Sequence, residues 1–289
     1  MPHLDIDGVK IYYEIHGEGF PLVLCHGLSG DTQAWVNQLP AFSRRYQVVV
    51  WDARGHGLSD SPADPEAYGL KVFAEDLRRL LDHLNIDHAY LAGHSMGGGV
   101  AVRFATTYPE RLKALLVIDS FTGSGLPTPP AVRAMREKSI ELALTQGMGA
   151  VADHALKENA NVIGRIRGDS DEARAMRERY MGIDPNGYAG SVRTILDNSF
   201  PDEWWSRIEV PTLVMVGEQD GAVEATRYTH TRIAGSEFII MPGAGHMAYL
   251  DQPEAFTNNV LEFLQRVEAR VAACVDHAHT IAGAAHLTG

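Results

Sequence analysis

The stretch HAYLAGHSMGGGVAVRFATTY, residues 88–108, joins two kinds of pattern across a single serine. HAYLA (88–92) is a short apolar run of the buried-strand type, and GGGVAVRFATTY (97–108) reads as a helix. Between them Gly93-His94-Ser95-Met96-Gly97 has the form GxSxG. A strand that turns directly into a helix has room only for small residues beside the turn, and such a turn holds the Ser95 hydroxyl out at the strand end. The hydroxyl then sits at the positive N-terminus of a helix, where developing negative charge is favoured. By itself the string also suits a Gly-rich turn with an incidental serine, or a weak nucleotide-binding loop.

Working outward, other apolar runs of the same type are PLVLC (21–25), QVVVW (47–51) and ALLVI (114–118), with helical patterns between several of them. The segments around Leu4 to Ile6 and Val9 to Ile15 alternate in polarity across Asp7-Gly8, a strong hairpin signal. After FTGSGLPTPP (121–130) the style changes. Helical segments such as VRAMREKSIELAL and DEARAMRERYM follow, without a convincing strand, as far as about Phe200. Strand and helix alternation resumes with PTLVMVG (211–217), a helix from about Ala222, EFIIM (237–241) and an amphipathic helix from Pro253 to about Val271. The expected fold is α/β: a mostly parallel central sheet with an N-terminal antiparallel hairpin, helices on both faces and a helical insertion. The expected division is a core of residues 1–121 and 206–271, a helical segment 122–205 and a C-terminal tail 272–289 of weak periodicity.

The chain has 289 residues, enough for one large domain with an insertion, and an ordinary globular balance of 45% hydrophobic and 21% charged residues. Its 37 acidic and 25 basic residues give a formal charge of -12, which repels phosphate backbones and anionic headgroups. Nucleic acid and membrane are therefore not expected partners, and no feature sets an oligomeric state. The two cysteines, Cys25 and Cys274, do not suggest a secreted scaffold, and the N-terminus lacks a signal-peptide pattern. No window approaches the ~20 apolar residues of a membrane span. The expectation is cytoplasmic. His277 and His279 in the tail have no carboxylate or cysteine at ligand spacing, so no metal is expected there.

Several further motifs stand in an informative order. His26-Gly27 follows the third strand, Asp52-Ala-Arg54-Gly-His56-Gly-Leu-Ser59 the fourth and GHSMG the fifth; GEQD (217–220) follows the strand after the insertion, and GAGH (243–246) precedes the last helix. In this order the chain resembles the α/β-hydrolase fold family over about residues 1 to 270. A serine hydroxyl is a weak nucleophile until a base takes its proton and a third group orients that base. The resemblance implies Ser95 as nucleophile, His246 as base and Asp220 as acid, with Asp119 and Glu218 as rival acids. It also implies an oxyanion hole from the backbone N–H groups of Leu28 and Met96, a helical cap over the site, and no cofactor.

His26 is expected to orient the oxyanion loop and, with Trp35, Phe121 and Trp204, to line the pocket; the pair Trp204-Trp205 equally suits anchoring the cap to the core. The Asp52 to Ser59 segment is expected to stabilise a turn near the site. A small or medium ester or lactone is the implied substrate, since the chain looks most like enol-lactonases and small carboxylesterases. Serine at the nucleophile position departs from the family's dehalogenases and epoxide hydrolases, which use aspartate. Carbon-carbon bond hydrolysis and cofactor-free perhydrolase or haloperoxidase chemistry use the same triad and stay open, although Met247 stands where carbon-carbon hydrolases often have tryptophan. A ligand-binding receptor of this fold is the remaining alternative.

Overall fold

The computed structural model describes residues 2–120, 127–157, 170–197 and 200–285. It opens with β1 (His3–Ile6) and β2 (Val9–His16), paired antiparallel in the register Ile6↔Val9. Asp7 and Gly8 make the turn with φ of 53° and 87°, the two successive positive values that a tight hairpin requires. Then come β3 (Phe20–Cys25), the short helix α1 (Leu39–Phe42), β4 (Tyr46–Trp51), α2 (Leu70–His83), β5 (Ala89–His94), α3 (Met96–Thr107) and β6 (Leu112–Ile118).

Among the described residues, four α-helices follow before the next strand: α4 (Pro130–Gln146), α5 (Met148–Lys157), α6 (Asp171–Met181) and α7 (Pro185–Leu196). The alternation resumes with β7 (Thr212–Gly217), α8 (Val223–Arg232), β8 (Glu237–Met241), α9 (Ala248–Asp251) and α10 (Pro253–Ala285). The last helix does not end near Val271 as its periodicity suggests but continues to Ala285. Its extension AACVDHAHTIAGAA is rich in alanine, which favours helix without needing a buried face. The side chains of Cys274, His277 and His279 lie outside those described.

The eight described strands form one sheet in the order β1-β2-β4-β3-β5-β6-β7-β8, antiparallel at β1-β2 and β2-β4 and parallel from there on. Strand order reverses between β3 and β5, and at such a switch point the carboxyl ends of parallel strands open a crevice. Strand residues alternate between two cores. Val23 and Cys25 face a cluster with Phe73 and Leu77 of α2 and Phe104 of α3, while Leu22 and Leu24 face one with Phe256, Phe263 and Leu264 of α10. Both faces are thus covered by helices, as continuous apolar strands demand. A third, smaller cluster, including Leu142, Val151, Tyr188 and Val192, holds the four inserted helices together, and Leu28 packs against both it and the sheet core. No helix of the described residues is long and apolar enough to cross a membrane.

Candidate active site

β5 ends at His94 and α3 begins at Met96, so the whole turn between strand and helix is Ser95, held at φ 53° and ψ -116°. The flanking glycines are required by close approach. A Cβ on Gly93 would lie 2.1 Å from the Gly97 carbonyl oxygen, and one on Gly97 would lie 2.4 Å from that of Cys25 at the end of β3. The strained residue is tied at both ends: its N–H donates to Ile118 O at 2.9 Å, and Ser120 Oγ donates to its carbonyl at 2.7 Å.

The loop after β8 brings His246 to this serine, with Nε2 3.0 Å from Ser95 Oγ and Nδ1 2.9 Å from Asp220 Oδ2. Asp220 lies just beyond β7, and its other carboxylate oxygen accepts the Ala222 N–H at 3.0 Å. With Nδ1–H donated to Asp220, Nε2 presents a lone pair to the serine hydroxyl. Burial disfavours a proton on His246, but the hydrogen bond and charge of Asp220, with the charge of Asp119, outweigh it and raise the pKa above the ordinary value; Arg136 works the other way.

Neither rival carboxylate is in that position. Glu218 accepts the Gly243 N–H at 3.0 Å. Asp119, fully buried at the end of β6 with φ 46°, accepts the N–H of Gly217 at 2.8 Å and that of Ala248 at 3.1 Å. It therefore ties the strand leading to Asp220 to the helix following His246. Burial pushes its pKa up to about 7, against the opposing pull of His246 and the two N–H groups.

Leu28 and Met96 come from the loop after β3 and the first turn of α3. Among the described residues neither backbone N–H has an acceptor, as the first turn of a helix dictates for Met96. His26 supports the loop instead of lining the cavity: Nε2 accepts the Ala53 N–H at 3.0 Å, so the proton is on Nδ1, which donates to Gly27 O at 2.8 Å. Behind it Asp52 accepts the N–H groups of Thr32 (2.7 Å) and Leu58 (2.8 Å), and Arg54 makes a two-pronged, buried ion pair with Asp76. The Asp52 to Ser59 segment is a polar brace beneath the loop after β3.

A cavity of about 740 Å³, including its open mouth, lies over Ser95 and His246. Its opposite wall comes from the inserted helices: Met135, Arg136 and Ser139 of α4, His154 of α5, Tyr180 of α6, Tyr188 and Ile195 of α7. Besides His26, two further expected pocket residues are elsewhere. Trp35 is 1% exposed in the core beneath the sheet, 4.9 Å from the Tyr249 ring, because the turn Thr32–Trp35 folds toward α10. Trp204 lies under the Arg103 guanidinium, 4.2 Å from its ring centre to that cation, and anchors the end of the insertion to α3. Phe121 lies outside the described residues. His94 was not anticipated: its Nε2–H donates to His246 O at 2.7 Å and fixes the loop, while burial and the charge of His246 lower its pKa to about 3. Its place between the first glycine and the serine of GxSxG is the available signal.

The family model for the alpha/beta hydrolase fold matches residues 21–253. The chain belongs to this family. This α/β hydrolase is 31% identical over 273 residues to a Bacillus subtilis (strain 168) protein named as a putative 2-succinyl-6-hydroxy-2,4-cyclohexadiene-1-carboxylate synthase, spanning 90% of this chain and 97% of the other. It superimposes on the enol-lactonase from Burkholderia xenovorans LB400 with a TM-score of 0.78 and 27% identity, over 91% of this chain and 100% of that one. A thermophilic esterase from Thermogutta terrifontis gives 0.78 and 26%, over 92% and 99%. Membership makes the chain a hydrolase-family protein with a site for a small molecule.

Proposed function

We propose that this α/β hydrolase is a serine hydrolase that cleaves a small or medium ester or lactone through an acyl-enzyme intermediate. The observation that carries the reading is the unbroken relay Asp220–His246–Ser95, with bonds of 2.9 and 3.0 Å, at the floor of a cavity. The likeness to an enol-lactonase and an esterase supports the substrate class.

Ser95 Oγ attacks the carbonyl carbon as its proton passes to His246 Nε2, and Asp220 stabilises the imidazolium. The N–H groups of Leu28 and Met96 receive the oxyanion; being backbone groups fixed by the fold, they need no reorganisation at the moment of reaction. The ester C–O bond then breaks and the leaving oxygen takes the proton from His246. Water, deprotonated by the same histidine, attacks the acyl carbon, releasing the acid and restoring Ser95. Residues 122–205 act as a cap that shapes the acyl pocket and excludes bulk water, on the core of residues 1–121 and 206–271.

The test is a panel of aryl esters, enol-lactones and acyl-homoserine lactones with wild type and Ser95→Ala. The variant should lose at least about 10⁴-fold in kcat, and an aryl ester should leave its acyl mass on the Ser95 peptide of the wild type. Unchanged turnover in Ser95→Ala sinks the reading. A 1,5-diketone in the panel separates out carbon-carbon bond hydrolysis on the same residues.

A further inference from the structure

Helix α4 carries three cations close together, and two of them are occupied. Arg133 faces Glu137 at 3.7 Å and donates to Leu196 O, and Lys138 pairs with Glu141 at 2.8 Å. Arg136 differs. The residues three and four away on its own helix are Val132, Arg133, Ser139 and Ile140, none of them acidic, so no local carboxylate can reach it. Its side chain lines the cavity above Ser95 and His246, its Nε is buried without a hydrogen-bond partner, and no described carboxylate pairs with it. His154 of α5 lines the same cavity and also leaves its Nε2 buried and unpartnered. The rest of the lining combines apolar side chains such as Leu28, Met135 and Ile195 with the hydroxyls of Ser139, Tyr180 and Tyr188.

A guanidinium is a fixed cation, and leaving one of its N–H groups buried without an acceptor, as at Arg136 Nε, is costly. A planar carboxylate offsets that cost by taking two parallel charge-assisted hydrogen bonds. We propose that Arg136 is a specificity-determining residue and that the cavity takes esters or lactones bearing a free carboxylate, held by Arg136 while the scissile carbonyl meets Ser95. His154 supplies a second donor to the same anion. Arg136 also opposes protonation of His246, in keeping with its place in the lining shared with that histidine. A single arginine without a glycine-rich cradle matches a carboxylate better than a polyphosphate. The proposal rests on the serine-hydrolase reading only for where the reacting carbonyl sits; capture of the carboxylate needs no turnover.

Calorimetric titration of the Ser95→Ala protein with monomethyl glutarate and with dimethyl glutarate tests it. The half-ester should bind at least about tenfold more tightly, as expected for a charge-assisted pair inside a cavity. Raising NaCl from about 0.02 to 0.5 M should narrow that gap in the otherwise unaltered protein, which avoids any question of folding. Adding Arg136→Gln should abolish the preference and Arg136→Lys should retain part of it. Equal affinities, no half-ester binding up to about 50 mM, or a preference that survives Arg136→Gln overturns the proposal. In the enzyme with Ser95 intact, the kcat/KM ratio of half-ester to diester should fall at least tenfold in Arg136→Gln, mainly through KM. Hydrolysis of either ester by the Ser95→Ala protein would instead refute the nucleophile and leave the anion site standing.

Discussion

Every residue of β5 and β7 is buried, whereas of the 17 residues of α4 only Ser139, Leu142 and Ala143 are. The sheet is held from both faces and by its ladders, so the positions of Ser95, Asp220 and His246 are overdetermined by packing. Helices α4 to α6 rest on one small cluster, whereas α7, with nine of its twelve residues buried, packs on the sheet core through Ile195. In the proposed reading, chemistry belongs to the rigid region and selection to the lightly constrained one. This division lets the pocket wall change while the relay stays in register.

The contrast gives measurable expectations. The largest concerns the relay: Asp220→Asn should lower kcat/KM by about 10⁴, while Asp119→Asn, which does not touch His246, should cost far less. The acid limb of the pH–rate profile tests the same contact. In wild type it should lie above the ordinary histidine range, because Asp220 and Asp119 outweigh burial and Arg136. Losing the Asp220 charge should move it to lower pH, and an unmoved limb would place the controlling group elsewhere.

Next in size, Gly93→Ala should destabilise the fold by about 3 kcal/mol or more in denaturant titration. The added methyl meets backbone, which cannot step aside. Asp119 gives a smaller, pH-dependent effect. Between its ordinary value of 3.8 and about 7 the folded chain keeps a proton that the unfolded chain has lost. Its contribution to stability is therefore full below that interval and disappears as pH rises through about 7. Asp119→Asn should flatten the decline in unfolding free energy between pH 5 and 7, by up to one proton or ~1.4 kcal/mol per pH unit. An identical slope in the variant would show that Asp119 stays ionised.

The smallest effect belongs to the inserted helices. In Gly149→Ala the new methyl meets only the flexible end of Met181, 3.2 Å away, and alanine favours helix, so stability should stay within about 0.5 kcal/mol of wild type or rise slightly. A large loss there would mean that this layer is packed as tightly as the sheet.

The strands, the hairpin and the serine turn were legible because their signals are local: short apolar runs, Asp-Gly between alternating segments, glycines around one serine. The sequence does not place Trp35, nor choose between pocket and anchor for Trp204, because aromatic character announces burial but not the partner, and their partners, Tyr249 and Arg103, are remote in sequence. Arg136 was overlooked although a sign existed, since it is the one basic residue among Arg133, Arg136 and Lys138 without an acid three or four positions away.

By itself the sequence determined the order of strands and helices and the strained turn at Ser95, consequences of near-neighbour sterics and periodicity, and its resemblance to a known family narrowed the acids for the histidine to a short list. Only the tertiary structure decided that Asp220 faces His246 while Asp119 ties Gly217 to Ala248, and that one cation of α4 turns toward the cavity. Those choices depend on distances of a few ångströms between residues up to 151 positions apart. Such distances are set by how the sheet and the inserted helices pack.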